Sequence, residues 1–416
     1  MTDSITSRAS ATSRGRPALP ALVAVPDDVF AGTYWGLEPL ISRSADLPGE
    51  LGNLFDVAAV DELVSRRGLR APFLRVAKDG RTYGDREFTA GGGVGAAIAD
   101  QVSDDKLLRL FADGATLVLQ GLHRTWPALI DFTQRLSGEL GHPVQTNAYI
   151  TPSQNTGFDD HYDVHDVFVV QVAGEKRWRI RPPVHRWPLR DEPWTAHRDA
   201  VRTAAAEPPM LELTLQPGDC LYLPRGYLHS ATALGGVSTH LTIGVHVWTR
   251  RHLADELATL ALTRASRDPA LRVSLPAYAD VTRGGELRDD VDLARAALIR
   301  ALESLDADDV AAALGRRVRD AQRPEPVSPV AQTEAAAALS GDATLRLREH
   351  LVARIEEAPD GSALVRSRAG DLRLAADDVP GVRRLLDHGS AGVADLGLDL
   401  ARRLLLTGLA LPGDPA

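Results

Sequence analysis

Between Ala115 and Val247 the chain carries a series of short apolar runs rich in β-branched residues: Ala115-Thr-Leu-Val-Leu-Gln, Gln145-Thr-Asn-Ala-Tyr-Ile-Thr, Val167-Phe-Val-Val-Gln-Val, Arg177-Trp-Arg-Ile, Leu211-Glu-Leu-Thr-Leu and Leu241-Thr-Ile-Gly-Val-His-Val. Proline and glycine turns separate them. Many short strands with such punctuation predict a closed or sandwiched antiparallel sheet rather than a parallel α/β fold. The fold class expected is therefore mainly β with α.

The flanks read differently. The first 25 or so residues are rich in Ser, Arg, Ala and Pro and lack a continuous apolar block, which predicts a loose tail over residues 1–27 rather than a secretion signal. Phe55 to Lys78 reads as a short helix leading to a strand. Beyond the β-rich region, Leu253, Leu257 and Leu260, then Leu298, Leu302 and Leu305, then Val310, Leu314 and Val318 recur at helical spacing. Three prolines between Pro324 and Pro329 cannot continue a helix and mark a linker. After it, Leu345–Ile355 reads as a helix, Ala363–Leu374 as two short strands about Gly370, Val382–Leu386 as a helical turn and Leu396–Leu406 as a helix. Helices with a two-stranded wing suggest a winged-helix domain. The expected order is a β-rich catalytic domain over 28–249, a helical region over 250–327 and a winged-helix-like domain over 328–416.

Composition narrows the class of function. With 44% apolar and 25% charged residues the chain is neither disordered nor collagen-like, and no stretch approaches the roughly 18 apolar residues of a membrane span. One cysteine, Cys220, excludes an internal disulfide and a cysteine-held metal cluster, so a reducing cytoplasm is the natural compartment. A net charge of −9 argues against the broad basic face that duplex binding requires, and from Val330 onward ten arginines face thirteen acids. Docking or dimer contact fits that region better than nucleic-acid reading. Only three of the 47 basic residues are lysines, Lys78, Lys106 and Lys176, so a lysine in this chain asks for a reason.

The candidate chemistry lies in Asn147–Ile180. Its centre, His161-Tyr162-Asp163, places two ligand-type side chains two apart, and on a strand such residues face the same side. The pair alone is weak, because His197-Arg198-Asp199 repeats it by chance in a charged region with no following apolar strand. A third ligand strengthens it. Gly218-Asp-Cys-Leu-Tyr-Leu-Pro224-Arg-Gly226-Tyr-Leu-His229 has a turn glycine, a strand, a Pro-x-Gly turn and then a histidine; it resembles the second sequence motif of cupins, departing where that motif ends in Asn and this chain has Ala233. Two imidazoles and one carboxylate on one face of a metal leave the other positions open, which suits non-haem Fe(II) binding an organic acid and O₂.

With these residues the chain resembles the JmjC-type 2-oxoglutarate oxygenases, and more narrowly the ribosomal oxygenases, from about Phe30 to the C-terminus and most strongly from Asn147 to His246. The resemblance implies a double-stranded β-helix of jelly-roll type, a helical dimerisation region and a winged helix. It implies His161, Asp163 and His229 as Fe(II) ligands, and it matches Gln171-Val-Ala-Gly-Glu-Lys176-Arg-Trp178 to the signature that follows the triad. Lys176, fifteen residues after His161, would meet the distal carboxylate of 2-oxoglutarate. A compact ammonium on a flexible stem reaches between strands where a guanidinium needs more room. Asn147 would point into the pocket near the cosubstrate. The implied activity is hydroxylation of a protein side chain by a homodimer, with arginine or histidine of a ribosomal protein as the class of target, at the expense of O₂ and 2-oxoglutarate.

Each assignment has a plainer competitor. Lys176 as a hairpin-turn lysine in water and Asn147 as a buried amide bonding backbone remain open here. Gly244 stands where relatives often carry serine, so a carboxylate hydrogen bond is either missing or moved to Thr242. His165 shares strand parity with His161 and Asp163 and is read as pocket-lining or substrate-contacting, not as a ligand. His240 and His246 are read as packing residues, and Tyr222, Arg225 and Tyr227 as a frame for the substrate entrance. Hydroxylation of a peptide natural product or free amino acid, and a non-catalytic cupin scaffold, are the alternative functions.

Overall fold

The structure is a computed structural model and describes residues 17–413 apart from 50, 79, 154, 156–158 and 322. The chain forms two compact units, one ending at Val247 and one beginning at Trp248.

The first unit is built on eleven strands: β1 (Leu40–Ser42), β2 (Leu74–Lys78), β3 (Arg81–Thr82), β4 (Thr89–Ala90), β5 (Gln101–Val102), β6 (Thr116–Leu119), β7 (Val144–Thr151), β8 (Asp166–Arg181), β9 (Leu211–Leu215), β10 (Cys220–Leu223) and β11 (Leu228–Val245). Apart from the small β4–β5 pair they form one antiparallel sheet in the order β1-β10-β8-β11-β7-β6-β2-β3, with β9 added to β8. Two strands, β8 and β11, run far enough to belong to both walls of a barrel. Their first and last halves pair with each other throughout, but β8 pairs β10 over Val167–Val170 and β9 over Lys176–Ile180.

The corner between those halves has a physical cause. Gly174 sits at φ +63, and a Cβ there would collide with the carbonyl oxygen of Val237, so only glycine lets β8 and β11 approach there. The Gln171 amide then clamps the bend, donating to the carbonyls of Ala173 (2.9 Å) and Gly174 (3.0 Å) and to Ser238 Oγ (2.9 Å). Two runs expected as separate strands, Val167–Val172 and Arg177–Ile180, are thus one bent strand. Lys176 lies within it and not in a hairpin turn.

Helices cover the outer face of the larger wall. Asp56 caps the helix Val57–Arg66 by accepting from Ala59 N at 2.7 Å, and Pro127 opens the helix Pro127–Leu140, which ends on the left-handed Gly141. Their Val60, Leu63, Leu129, Phe132 and Leu136 pack with Leu117, Ala148, Ile150, Phe168, Leu241 and Ile243. The same core includes Ala18, Leu19, Ala21, Leu22 and Val23, whose entry is fixed by Glu139 accepting from Ala18 N (2.8 Å) and Leu19 N (2.7 Å). The expected tail over 1–27 is corrected to that extent: Ala18, Leu19, Ala21, Leu22 and Val23 are core, because these small or aliphatic side chains find an apolar surface, while residues 1–16 lie outside those described.

The second unit begins with helices Arg250–Ala265, Arg288–Glu303 and Ala307–Ala321, close to the helical spacing of its leucines. After Pro324 come helix Pro329–Ala337, strands β12 (Thr344–Leu347), β13 (Ala353–Glu357), β14 (Ala363–Ser367) and β15 (Gly370–Leu374), helix Val379–His388, β16 (Ser390–Gly392), helix Leu398–Leu406 and β17 (Ala410–Pro412). Here the expected helix over Leu345–Ile355 is wrong. Its apolar residues serve two strands, β12 between β16 and β17 and β13 at the edge of a β13-β14-β15 meander, so the expected two-stranded wing has three strands.

Candidate metal centre

The triad is assembled across the barrel, not along one strand. His161 and His229 form an isolated antiparallel bridge, His161 N donating to His229 O at 3.2 Å and His229 N to His161 O at 2.8 Å. Directly opposed residues of such a pair project to one face, and their rings lie 4.4 Å apart between centroids. Asp163 lies just beyond the bridge, held by its carbonyl accepting from Gly226 N at 3.0 Å. The expectation that His161-x-Asp163 lies on a regular strand therefore holds only for the bridge at His161. The convergence of the three side chains holds fully: one ligand atom from each of His161, Asp163 and His229 lies within 4.8 Å of the other two.

Both imidazoles are set up as ligands. His161 Nδ1 lies 2.7 Å from Asp159 O, and His229 Nδ1 lies 3.1 Å from Tyr227 O. A carbonyl only accepts, so each Nδ1 carries the proton, which leaves Nε2 as the atom of each ring that can bind a metal. His229 Nε2 is 3.8 Å from Asp163 Oδ2, less than the roughly 4.2 Å spanned by two metal bonds of about 2.1 Å, so one ion can touch both. Burial, reinforced by His161, lowers the pKa of His229 to about 4, and the ring is neutral at pH 7. Burial pushes the Asp163 carboxyl up, but His165, His229, His161 and Arg75 outweigh it and hold the group below its ordinary value, hence ionised. Two imidazoles and one carboxylate are the donor set a divalent iron ion accepts.

Lys176 faces the same interior. Its register opposite Ala233, four pairs from His229 opposite Ile180 and so of the same parity, puts it on the triad's side of the sheet. The residue is 4% exposed, and the partners of its ammonium are neutral: Thr151 Oγ1 at 3.1 Å and the His240 ring at 3.5 Å. Burial drops its pKa to about 7. A cation without an anionic partner in a dry wall is unfavourable until an anion arrives, which is the behaviour expected of a carboxylate anchor. The water-exposed alternative for Lys176 is excluded.

The other expected residues divide. Asn147 and Thr242 are opposed across β7 and β11 on the inner face; Asn147 Oδ1 accepts from Gly121 N at 3.0 Å, so half of its amide is committed to backbone. Gly244 and His165 are one feature. A Cβ on Gly244 would lie 2.6 Å from His165 Cδ2 and 2.7 Å from Nε2, and His165 stacks on His246 at 5.2 Å. The imidazole fills the space a side chain at 244 would need. Tyr222 and Arg225 do not frame an entrance: both are turned to the buried Asp166, Tyr222 Oη at 2.6 Å and Arg225 at 3.4 Å, on the helix-covered side. Tyr227 donates to Leu37 O at 2.9 Å. In the chance His197-Arg198-Asp199 motif, Asp199 is exposed and paired with Arg202.

Sequence reasoning missed Tyr149 and Arg75 and gave Trp178, part of the signature after the triad, no role of its own. Tyr149 stacks on His240 (5.0 Å between centroids, 6° between planes), and Trp178 meets the rings of both His229 (5.9 Å) and His240 (5.4 Å). Tyr149 shares parity with Asn147 and could have been found that way. Arg75, on a distant strand, carries no motif.

Residues 128–253 match the family model of the JmjC domain. Ribosomal oxygenase 2 of Bos taurus is 37% identical over 147 residues, 34% of this chain and 30% of that protein. Ribosomal oxygenase 1 of Gallus gallus is 29% identical over 287 residues, 68% of this chain and 45% of that protein. The chain thus spans less than half the length of these curated relatives. Among solved structures, Escherichia coli YcfD superposes with a TM-score of 0.52 at 16% identity, covering 94% of this chain and 99% of that one; YcfD has also been solved with cobalt and 2-oxoglutarate. Residues 128–253 thus match the JmjC domain, and the relatives that share this region are ribosomal oxygenases.

Proposed function

We propose that the protein is an Fe(II)- and 2-oxoglutarate-dependent oxygenase that hydroxylates a protein side chain, with arginine or histidine of a ribosomal protein as the target class. The observation that carries this reading is the pairing of a His161–Asp163–His229 donor set with a buried Lys176, without an anionic partner among the described residues, on one inner barrel face. Iron bound there with 2-oxoglutarate and O₂ supplies the oxidation: the cosubstrate loses CO₂ to become succinate while one oxygen atom enters a substrate C–H bond.

The chain's own residues do the positioning. The carbonyls of Asp159 and Tyr227 orient the two imidazoles. Lys176 holds the distal carboxylate, and that contact fixes the direction in which the dicarboxylate lies. Asn147 and Thr242 line the same space. Trp178, Tyr149 and His240 form an aromatic wall that keeps water from the lysine. No described helix is long and apolar enough to cross a membrane, and a cytoplasmic setting agrees with the lone, buried Cys220. Leu253, Leu262 and Ile299 stand exposed on the helices after Thr249, which supports a homodimer through that region, and we assign the unit after Ser328 a winged-helix-like docking role without direct nucleic-acid contact.

The test joins two measurements. Anaerobic addition of Fe(II) and 2-oxoglutarate is expected to produce the visible charge-transfer band of a 2-oxo acid bound to iron, and air is then expected to yield succinate. Intact masses of ribosomal proteins from a deletion strain are expected to show one protein 16 Da lighter, the mass of one oxygen atom by elementary chemistry. Absence of the band removes the oxygenase reading; an unchanged ribosomal mass profile removes the target class.

A further inference from the structure

Arg75 stands on β2 in a cross-strand row that runs through Val118 of β6 and Tyr149 of β7 to His240 of β11. Directly opposed residues share a face, so the arginine belongs to the same inner wall as Lys176. Its guanidinium reaches the Tyr149 hydroxyl, and its charge acts on the Asp163 carboxylate. Its charge therefore lies within electrostatic range of the triad. From there the wall is continuous to the opposite end: Tyr149 stacks on His240, and His240 lies 3.5 Å from Lys176 Nζ.

Arg75 Nε is buried and has no hydrogen-bond partner among the described residues. A buried N–H without a partner is costly, and a guanidinium cannot escape by losing its proton. The interior thus holds two cations, Arg75 and Lys176, separated by an aromatic wall, while the nearby Asp163 is committed to the triad. The arrangement is complementary to a small molecule with a carboxylate at each end.

We propose that Arg75 anchors the metal-proximal carboxylate of the cosubstrate, so that the pocket recognises a dicarboxylate at both ends, Arg75 beside the triad and Lys176 at the far end. This rests on the oxygenase reading and adds to it a second binding residue that no motif marks.

The test is calorimetric titration of protein loaded with Mn(II), which takes the triad without turnover, against two acids: 2-oxoglutarate, and 2-oxopentanoate, which keeps the 2-oxo acid end and lacks the distal carboxylate. Arg75→Gln is expected to weaken both acids by on the order of 10- to 100-fold, the worth of one charge-assisted hydrogen bond. Lys176→Met is expected to weaken 2-oxoglutarate alone. Arg75→Lys, which keeps the charge, is expected to recover part of the loss, and Tyr149→Phe, which removes only the hydroxyl contact, to weaken both acids less than Arg75→Gln. Arg75→Met serves as a second uncharged variant if the glutamine amide prevents folding. Unchanged affinity of a folded, uncharged Arg75 variant for both acids overturns the proposal and leaves the oxygenase reading intact. A wild-type protein that takes up Mn(II) but neither acid overturns that reading and the proposal together.

Discussion

The two units bury very different things. Among the described residues the unit ending at Val247 buries Asp166, Lys176, Arg181, Asp219, His229 and His240, whereas the unit beginning at Trp248 buries one polar side chain, Gln332. Gln332 is fully accounted for by structure, its amide donating to Leu405 O at 3.0 Å and Ala410 O at 2.7 Å. In the first unit some buried charges are settled in the same way. Asp219 accepts from Arg43 (2.7 Å), Ser44 N (2.9 Å) and Gln216 N (3.0 Å), and Arg181 pairs with Asp160 at 2.6 Å. Lys176, His229 and His240 are not settled by any carboxylate bond of their own that would offset burial, except the 3.8 Å approach of Asp163 to His229. Three titratable side chains buried together without a compensating carboxylate mark that place as a candidate ligand site.

The largest expected effect follows from the triad. Asp163→Ala or His229→Ala should reduce succinate formation to background, well beyond the roughly 10- to 100-fold that loss of a residue merely orienting a ligand costs. Circular dichroism should show the fold retained. Persistent turnover would break the contrast at its centre.

Next is Lys176→Met, whose effects on binding and on stability should run in opposite directions. Affinity for 2-oxoglutarate should fall by roughly 10- to 100-fold, since a charge-assisted contact is lost. Stability should rise. The folded-state pKa of about 7 lies below the ordinary 10.5, so between those values the unfolded chain binds a proton that the folded chain has released. Wild-type stability therefore increases as pH rises through that window and carries the full burial penalty below about pH 7. The methionine variant should lack this slope and gain most in melting temperature at or below neutrality. An unchanged pH profile of unfolding would show that the lysine is not desolvated.

The second unit should respond in the opposite style. Leu405 is fully buried in its apolar core, and Leu405→Ala should destabilise that unit by about 2–5 kcal/mol in denaturant unfolding. Metal and 2-oxoglutarate affinities of the folded protein should not move.

The smallest effect sharpens the comparison inside the barrel. Gly244→Ala would force a methyl against the His165 ring and should cost about 1–3 kcal/mol. In a His165→Ala background the same change should be nearly neutral. Additive costs would show that the two positions are independent.

How much of this was legible in the sequence depends on how locally each feature is encoded. The triad was readable because its spacing, a His-x-Asp pair and a histidine after a Pro-x-Gly turn, reflects chain geometry over a few residues. Lys176 was readable because lysine is scarce in this chain. The role of Gly244 was not, since the reason for that glycine is the ring of His165, brought against it by a bend in another strand. Leu345–Ile355 misled because an apolar pattern serves a helix or two short strands equally, and pairing with β16, β17 and β14 decided between them.

By itself the sequence determined the strand-rich barrel, the three candidate metal-binding side chains and the one lysine proposed as a carboxylate anchor, because residue type and short-range spacing carry those. Only the tertiary structure decided that His161 and His229 face each other across a two-residue bridge, that Lys176 is dry, and that Arg75 stands on the same wall. Those facts depend on strand register and burial, which arise from pairing between segments far apart in the chain.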